Sequence, residues 1–247
     1  MDDIDLKPAG LTAIGAAAGT GLPTNAAVAG LLGRRSVSPK RLCAPAPTRE
    51  MLDAMIDAAS RAPDHGGLHP WRVIEFPADV REALADLFEA EKKWRDPVAT
   101  ADDLARAREH ATHAPAVLAF VVRPERHPLV PWHEQWLSAG AALGNLLTAA
   151  HLLGLGAIML SGERCQDAAL RAALGVGADE VLAGFISIGT IAKAPPRARQ
   201  VDRDLVSSCW RGIAAASSVS AAPRPGTHHD PTSDPWRRGL RLGRHPR

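Results

Sequence analysis

The sequence predicts one domain of the α+β class, formed by about residues 25–210. Three observations lead to this prediction. With 46% hydrophobic and 23% charged residues, the chain of 247 residues can bury a sizeable core. Segments with helical periodicity are interspersed with short apolar runs of the kind found in buried strands. Residues 1–24 and 211–247 show no sustained apolar periodicity, so we expect a loose N-terminal arm and a disordered basic tail there.

Two helices open the predicted domain. The first spans residues 25–33, with Asn25 as its N-cap. The second begins after Thr48, another N-cap residue, and carries Glu50 in its first turn, where the helix dipole favours negative charge. Its apolar residues share one face: Met51, Leu52, Met55, Ile56 and Ala59. We expect it to stop at Ala62, because a residue before proline avoids helical geometry.

The middle of the domain alternates between strands and helices. A strand is predicted at 71–76, and it is followed by an amphipathic helix at 79–93. A charged helix is predicted at 101–112. Residues 116–122 are almost continuously apolar, which is typical of a strand that is buried on both faces.

The last part of the domain contains the longest predicted helix. This helix spans 133–153 and is apolar on most faces, so we expect it to lie at the centre of the core. Glycines within 154–156 should end this helix before a short strand at 157–160. A short helix at 167–174 and a final core strand at 181–189 complete the domain.

Charge excludes a nucleic-acid-binding surface on the body of the protein. The formal net charge is +2, but residues 211–247 alone carry seven arginines and two aspartates. The basic excess therefore lies wholly in the tail, and residues 1–210 have a net charge of −3. We therefore expect no nucleic-acid partner for the domain.

Cysteine usage and hydropathy point to a cytoplasmic protein. The three cysteines, Cys43, Cys165 and Cys209, lie far apart and form neither a disulfide framework nor a zinc pattern. The first residues carry aspartates and no basic segment, so no secretory signal is expected. The most apolar stretch, 136–160, is interrupted by polar residues and glycines, and we do not expect it to span a membrane.

No self-sufficient catalytic motif is present in the sequence. It lacks a G-x-S-x-G nucleophile elbow, a P-loop and an H-E-x-x-H pair. His65 and His69 are four residues apart, but glycines and a proline between and after them indicate a loop, where this spacing does not place two rings on one face. We therefore predict no metal site.

Two clusters could bind a ligand. Arg34-Arg35-Ser36, at the end of a predicted helix, offers two guanidinium groups and a hydroxyl that suit a phosphate. Arginines are equally expected at a solvated helix end, and the residues alone do not decide between the two. The segment 61–71 combines histidines, glycines and prolines between a helix and a strand. Such loops commonly carry ligand contacts, although a tight connection with capping histidines is the alternative.

The order of several short motifs resembles the FMN-dependent nitroreductase family, and most closely its compact NAD(P)H nitroreductase branch. Each motif is weak by itself, but their order and spacing over about residues 28–196 are specific. The matching pieces are Arg34-Arg35-Ser36, Pro45-Ala46-Pro47-Thr48, Arg61-Ala62-Pro63-Asp64-His65, Pro70-Trp71, Val130-Pro131, Glu134-Gln135, Ser138-Ala139-Gly140, Ser161-Gly162, Gly184-Phe185 and Ile188-Gly189-Thr190.

This resemblance implies a nitroreductase-like fold, in which a central, mostly antiparallel sheet is flanked by helices. It also implies an intertwined homodimer with FMN at the subunit interface. The residues that would contact FMN come from three segments: Arg34, Arg35, Ser36, Arg61, His65, Met159, Leu160 and Ser161. The residues that would contact NAD(P)H form the end of the long helix: Ala149, Ala150, His151, Leu152, Leu153 and Gly154.

The activity that the resemblance implies is transfer of hydride from NADH or NADPH through FMN to a nitroaromatic, quinone or similar small acceptor. The flavin carries this chemistry, so we predict no catalytic side chain. Relatives have a Trp-Arg pair where this chain has Met159-Leu160, which removes a ring contact and a cation. Three alternatives stay open: another flavin reaction on the same fold, a flavin storage or redox-sensing module without steady turnover, and a structural domain that binds no flavin.

Overall fold

The computed structural model of the protein describes residues 25–196 and 201–211. The chain divides between residues 198 and 199 into two compact units. In the second unit, the described residues 201–211 contain a 3₁₀ turn at Arg203–Leu205. The predicted arm at 1–24 and all of the predicted tail beyond Arg211 lie outside the described residues, and the domain limits of 25–210 stay a prediction.

Six helices and five strands form the described part of the first unit. The helices are α1 (Ala26–Gly33), α2 (Arg49–Ala59), α3 (Arg81–Arg95), α4 (Ala101–Thr112), α5 (Trp132–Leu152) and α6 (Ala168–Ala173). The strands are β1 (Leu42–Cys43), β2 (Trp71–Phe76), β3 (Ala116–Val122), β4 (Leu155–Leu160) and β5 (Val181–Ile191). The prediction of an α+β fold is confirmed.

Side-chain caps explain why four of the helices begin where they do, among them α4, which Thr100 caps. Asn25 accepts a hydrogen bond from the amide of Val28 at 2.9 Å, and Thr48 accepts one from Met51 at 3.3 Å. Asp167 caps α6 in the same way. Each cap satisfies one of the amide groups that the first turn of a helix leaves without a partner.

The sheet is built around β5, its longest strand. β5 pairs antiparallel with β3, β4 and, through its last two residues, with β1. β2 pairs antiparallel with β3, from Trp71 opposite Val122 to Phe76 opposite Val117. The expected central, mostly antiparallel sheet is therefore confirmed, with one isolated parallel bridge between Ser36 and Ala157.

Most element boundaries differ from the predictions by a few residues, and two of the differences have a clear structural reason. α2 ends at Ala59 and not at Ala62, because the amide of Ala62 bonds to the carbonyl of Ala59 and tightens the chain into a turn. β4 begins at Leu155, within the segment expected to separate the helix from the strand. Gly156 fits the strand because a side chain there would collide with Leu42.

The sheet separates two clusters of buried side chains. One lies between the sheet and the α2 and α5 helices, and its largest members include Met55, Trp71, Phe120 and Leu146. The other lies on the opposite side, under α3, α4 and α6: Leu84, Phe88, Ala111, Leu170 and Phe185. Burying a large apolar side chain contributes roughly 1.5–3 kcal/mol, so these two clusters fix the helices on the sheet. α5 packs against the sheet, but one of its faces is exposed, so the expectation that it lies at the centre of the core is met only in part.

Candidate functional site

The Arg34-Arg35-Ser36 segment lies between the end of α5 and the β4 strand. It follows α1, whose Gly33 is so close to α5 that a methyl group there would lie 3.3 Å from Nε2 of His151. Ser36 forms the parallel bridge to Ala157, and the next amide, that of Val37, donates to the carbonyl of Ala157 at 3.0 Å. The fold therefore fixes the backbone of this segment against β4.

Arg34 and Arg35 are half-buried. Within residues 25–196 and 201–211, neither side chain forms an ion pair or a hydrogen bond. Other arginines are paired, as Arg49 is with Glu75 and Arg72 is with Glu180. Two guanidinium groups are thus available to an external anion.

His151, near the end of α5, is a further polar residue beside Arg34. Burial and, to a smaller extent, the charge of Arg34 lower the pKa of His151. Its imidazole is therefore neutral near pH 7. The chain leaves α5 at Gly154, whose φ of +79° is readily adopted only by glycine. The predicted nucleotide segment, residues 149–154, is thus adjacent to the Arg34 segment.

The end of β4 is the third segment for which FMN contacts were predicted. Met159 packs on the α5 side of the sheet, whereas Leu160 borders a cavity on the opposite side. Gly184 of β5 lets this strand end approach closely, because a methyl group at Gly184 would lie 2.8 Å from the carbonyl oxygen of Leu160. Leu160 and Ser161 are both exposed.

The loop that carries Arg61 and His65 lies at the beginning of α5, whereas Arg34 lies near its end. Nδ1 of His65 lies 2.7 Å from Oε2 of Glu134, in the first turn of α5. The loop is held by the carboxylate of Asp64, which accepts a hydrogen bond from the amide of His69 at 2.7 Å. Arg61 is exposed, and none of the described residues pairs with its side chain.

The predicted FMN contacts therefore fall into two groups within one chain. Arg34, Arg35 and Ser36 are brought together with the first half of β4 through the bridge between Ser36 and Ala157, and Arg34 adjoins His151 near the end of α5. His65 adjoins Glu134, which precedes His151 by 17 residues of the same helix. At a rise of about 1.5 Å per residue, the two groups lie about 25 Å apart along α5.

Glu134 is the residue that sequence reasoning did not single out as part of the site. It occurs in one of the family-like motifs, but its contact with His65 joins residues 69 positions apart. A first-turn acidic residue is common for helix-dipole reasons alone, so the sequence offers no signal of this contact.

The described residues show neither metal-site geometry nor a membrane span. His69 directs Nδ1 to the carbonyl of Gly67 at 2.9 Å, whereas His65 contacts Glu134, so the two rings have different partners. In the same part of the chain, no group of three or more His, Cys, Asp or Glu side chains is placed to hold a metal ion. None of the helices described is both long and apolar enough to cross a bilayer.

Comparison with known proteins identifies the family. Residues 31–190 match the sequence profile of the Nitroreductase family. The chain belongs to the nitroreductase family. It is 35% identical over 163 residues to the "Putative NAD(P)H nitroreductase YdjA" of Escherichia coli K12, a match that covers 65% of this chain and 85% of that protein.

Solved structures share the nitroreductase fold. A nitroreductase-like family protein from Bacillus cereus superposes with a TM-score of 0.65 at 18% identity, covering 77% of this chain and 99% of that chain. A "putative nitroreductase in complex with FMN" from Desulfovibrio desulfuricans gives a TM-score of 0.58 at 25% identity, covering 76% and 99%. The nitroreductase-like fold that the motifs predicted is confirmed.

Proposed function

We propose that this chain is an FMN-dependent NAD(P)H oxidoreductase that passes hydride from NADH or NADPH to a nitroaromatic, a quinone or a similar small acceptor. The observation that carries the proposal is the pair of half-buried arginines, Arg34 and Arg35, beside the end of α5 and the first residues of β4, where no described residue pairs with them. Membership of the nitroreductase family and the FMN complex of the Desulfovibrio relative support it.

The residues around Arg34 suit the phosphate of FMN. A phosphomonoester carries nearly two negative charges, and residues 1–210, with a net charge of −3, would repel it without a local cationic pocket. The planar guanidinium group can donate to two phosphate oxygens at once. Arg34 and Arg35 would hold the phosphate, and Ser36 would add a hydroxyl, without the need to break an existing ion pair.

FMN, when bound, supplies the hydride and electron chemistry. The chain then has to bind and orient reactants. The end of β4, residues 159–161, would border the flavin, and residues 149–154 would contact the nicotinamide nucleotide. The neutral imidazole of His151 adds no charge beside Arg34.

A homodimer would complete the FMN site. The His65 loop is about 25 Å from His151 along α5 within one chain, too far for both groups of predicted contacts to serve a single flavin easily. If two α5 helices pack antiparallel around a two-fold axis, the beginning of one helix lies beside the end of the other. The predicted contacts of one site would then come from both subunits.

The exposed face of α5 supports this arrangement. Leu137 is 71% exposed, and Gly140 and Gly144, which follow one and two turns later, have open space where a side chain would be. An isologous interface buries the same patch on both subunits, and small residues allow two helix backbones to approach closely. This face is the natural contact for a second copy.

His65 and Glu134 would present a fixed imidazole to the partner's flavin. An ionised carboxylate can only accept a hydrogen bond, so Nδ1 of His65 donates to Glu134 and Nε2 is directed elsewhere. Nε2 could contact the flavin or pass a proton to the acceptor. The three cysteines are free thiols, in keeping with a cytoplasmic protein.

The experiment that tests the proposal is reconstitution of the protein with FMN. Protein freed of flavin should turn yellow when FMN is added, and it should oxidise NADH or NADPH steadily in the presence of a quinone or nitroaromatic. A storage or sensing module would bind FMN without steady oxidation. A protein that stays colourless with excess FMN would contradict the proposal altogether.

A further inference from the structure

The imidazole of His151 packs against the chain that leads into the Arg34-Arg35-Ser36 segment. A methyl group added at Gly33, the residue before Arg34, would lie 3.3 Å from Nε2 of His151. Burial lowers the pKa of His151, and the charge of Arg34 lowers it further, so the two side chains are close enough to interact. His151 therefore lies beside the place where Arg34 is available to an external anion.

The ring nitrogens of His151 have no hydrogen-bond partner in the part of the chain that the structure describes. The ring is nevertheless half-buried. The contrast is with His65, whose Nδ1 lies 2.7 Å from a carboxylate oxygen of Glu134. Burying part of a polar group without a partner costs free energy. A ligand that accepts a hydrogen bond from His151 would remove this cost.

The two segments that meet at His151 contain no carboxylate. Residues 25–37 carry two arginines and neither Asp nor Glu. Residues 149–161 carry neither acidic residues nor Lys or Arg. With His151 neutral, the local charge is that of Arg34 and Arg35. A phosphomonoester carries a charge of roughly −1.5 to −2 near pH 7, so the two arginines are enough to balance it.

A further group at such a site therefore has to supply a donor and not another charge. A neutral imidazole has one N–H group, and either ring nitrogen can carry it. A hydrogen bond to an ionised acceptor is about twice as strong as one between two neutral groups. A neutral His151 thus suits a phosphate whose charge is already balanced.

We propose that His151 is a further ligand of the FMN phosphate and donates a hydrogen bond from its ring to a phosphate oxygen beside Arg34. The inference rests on the proposed function and refines one part of it. The family resemblance assigns residues 149–154 to the nicotinamide nucleotide. His151 differs from the rest of that segment, because it packs against Gly33 at the start of the phosphate-binding segment.

The test compares FMN with riboflavin in equilibrium titrations of the flavin-free protein, measured by flavin fluorescence. His151→Leu removes both ring nitrogens and keeps an apolar side chain of similar size. It should weaken FMN binding by at least about tenfold, because a hydrogen bond to a charged group is lost. Riboflavin has no phosphate and should bind the variant and the wild type about equally.

Two further variants make the comparison specific. His151→Gln keeps an N–H donor on an uncharged side chain, so its affinity for FMN should lie between those of the wild type and His151→Leu. The matched control is His113→Leu, at an exposed histidine that follows α4. It should bind FMN and riboflavin as the wild type does.

Three outcomes would overturn the proposal. The first is unchanged FMN affinity in a folded His151→Leu variant. The second is an equal loss of FMN and riboflavin affinity, which would show that His151 only supports the shape of the site. The third is unchanged FMN affinity with a raised KM for NADH or NADPH, which would assign His151 to the nicotinamide nucleotide.

Failure of this proposal is distinguishable from failure of the proposed function. Flavin titration reports the role of His151 without turnover. Steady oxidation of NADH or NADPH by the wild-type protein reports the proposed function. A wild-type protein that binds FMN without steady oxidation would contradict the function and leave the comparison of FMN with riboflavin valid.

Discussion

Nδ1 of His65 and Oε2 of Glu134 lie 2.7 Å apart, although 69 residues separate them in the sequence. The contact fixes the orientation of the His65 ring at the start of α5. Both side chains are partly exposed, and an exposed ion pair contributes only about 0.2–1 kcal/mol. Its importance therefore lies in orienting the ring and not in stabilising the fold.

Substitution Glu134→Gln should slow acceptor reduction by less than about fivefold, the rate equivalent of about 1 kcal/mol. FMN content should not change, because Glu134 orients His65 without contacting phosphate. Steady-state oxidation of NAD(P)H with a quinone measures the effect. In the His65→Ala background, Glu134→Gln should not slow acceptor reduction further. The control is Glu82→Gln, at an exposed carboxylate of α3, which should leave the rate unchanged. Equal rate losses in both backgrounds would show that Glu134 acts independently of His65.

Substitution Leu137→Arg should convert a dimer into a monomer at micromolar concentration. The change places a charge on each side of the two-fold axis, where like charges repel and lose hydration. Light scattering measures the mass, and the visible spectrum measures retained FMN. We expect both to fall together, because the His65 loop of one subunit would no longer reach the other subunit's flavin. Val98→Arg, at a residue that is also exposed but lies between α3 and α4, serves as the control. A dimeric Leu137→Arg variant with full FMN would disprove this interface.

The ion pair between Arg72 and Glu180 should make stability depend on pH in acid. Hydrogen bonds from Arg72 lower the pKa of Glu180 to about 2. A carboxylate whose folded-state pKa is depressed stabilises the protein above its ordinary pKa of about 4.3, and this contribution is lost as the pH falls toward 2. Glu180→Gln should lower the free energy of unfolding by about 1–3 kcal/mol at pH 7 and flatten its dependence between about pH 4.5 and 2. Denaturant unfolding at several pH values measures this. The exposed carboxylate of Glu163 is the matched control, and an equal effect of Glu163→Gln would contradict the assignment.

Substitution Gly184→Ala should displace the end of β4. The added methyl group would lie 2.8 Å from the carbonyl oxygen of Leu160, a backbone atom that cannot rotate away. We expect a loss of about 1–3 kcal/mol in stability, as for overpacking in other cores, together with weaker FMN binding. Thermal unfolding and FMN titration measure the two effects. Gly177→Ala is the control, because a methyl group there meets only ordinary contacts at 3.6 Å. Identical behaviour of the two variants would show that the close approach at Leu160 is unimportant.

Local patterns predicted most of the secondary structure. The caps at Asn25 and Thr48 were evident because capping depends on residues within one turn. The strands at 71–76 and 116–122 have the bounds expected from their apolar runs. The two-residue strand β1 was missed, since it exists only through its pairing with residues 190 and 191 of β5.

The arrangement of the site was harder to predict from local sequence patterns. Ser36 and Ala157 are adjacent in space but about half the chain apart, so only the family resemblance brought their segments together. The burial of Arg164 against Phe88 was not predicted either. Arg164 lies on a 3₁₀ turn without periodicity, and its burial depends on how α3 packs. Long-range packing of this kind leaves no signal in a local window.

FMN titration of the Arg34→Ala variant tests most directly whether Arg34 binds the phosphate of FMN. A charge-assisted hydrogen bond contributes roughly 1.5–3 kcal/mol, so losing a bidentate contact should weaken FMN by about tenfold to several hundredfold. Arg34→Lys should fall between the alanine variant and the wild type, because lysine keeps the charge without the planar fork. Arg106→Ala, at an exposed arginine of α4, should match the wild type.

Riboflavin lacks the phosphate, so a comparison of riboflavin with FMN separates phosphate binding from binding of the rest of the flavin. We predict that it binds wild-type protein and Arg34→Ala about equally, while FMN discriminates strongly between the two. Full FMN affinity in Arg34→Ala would show that these arginines are only solvent-facing side chains at the end of α1. The phosphate would then be bound elsewhere. Equal losses for riboflavin and FMN would show that Arg34 supports the fold of the site and does not grip the phosphate.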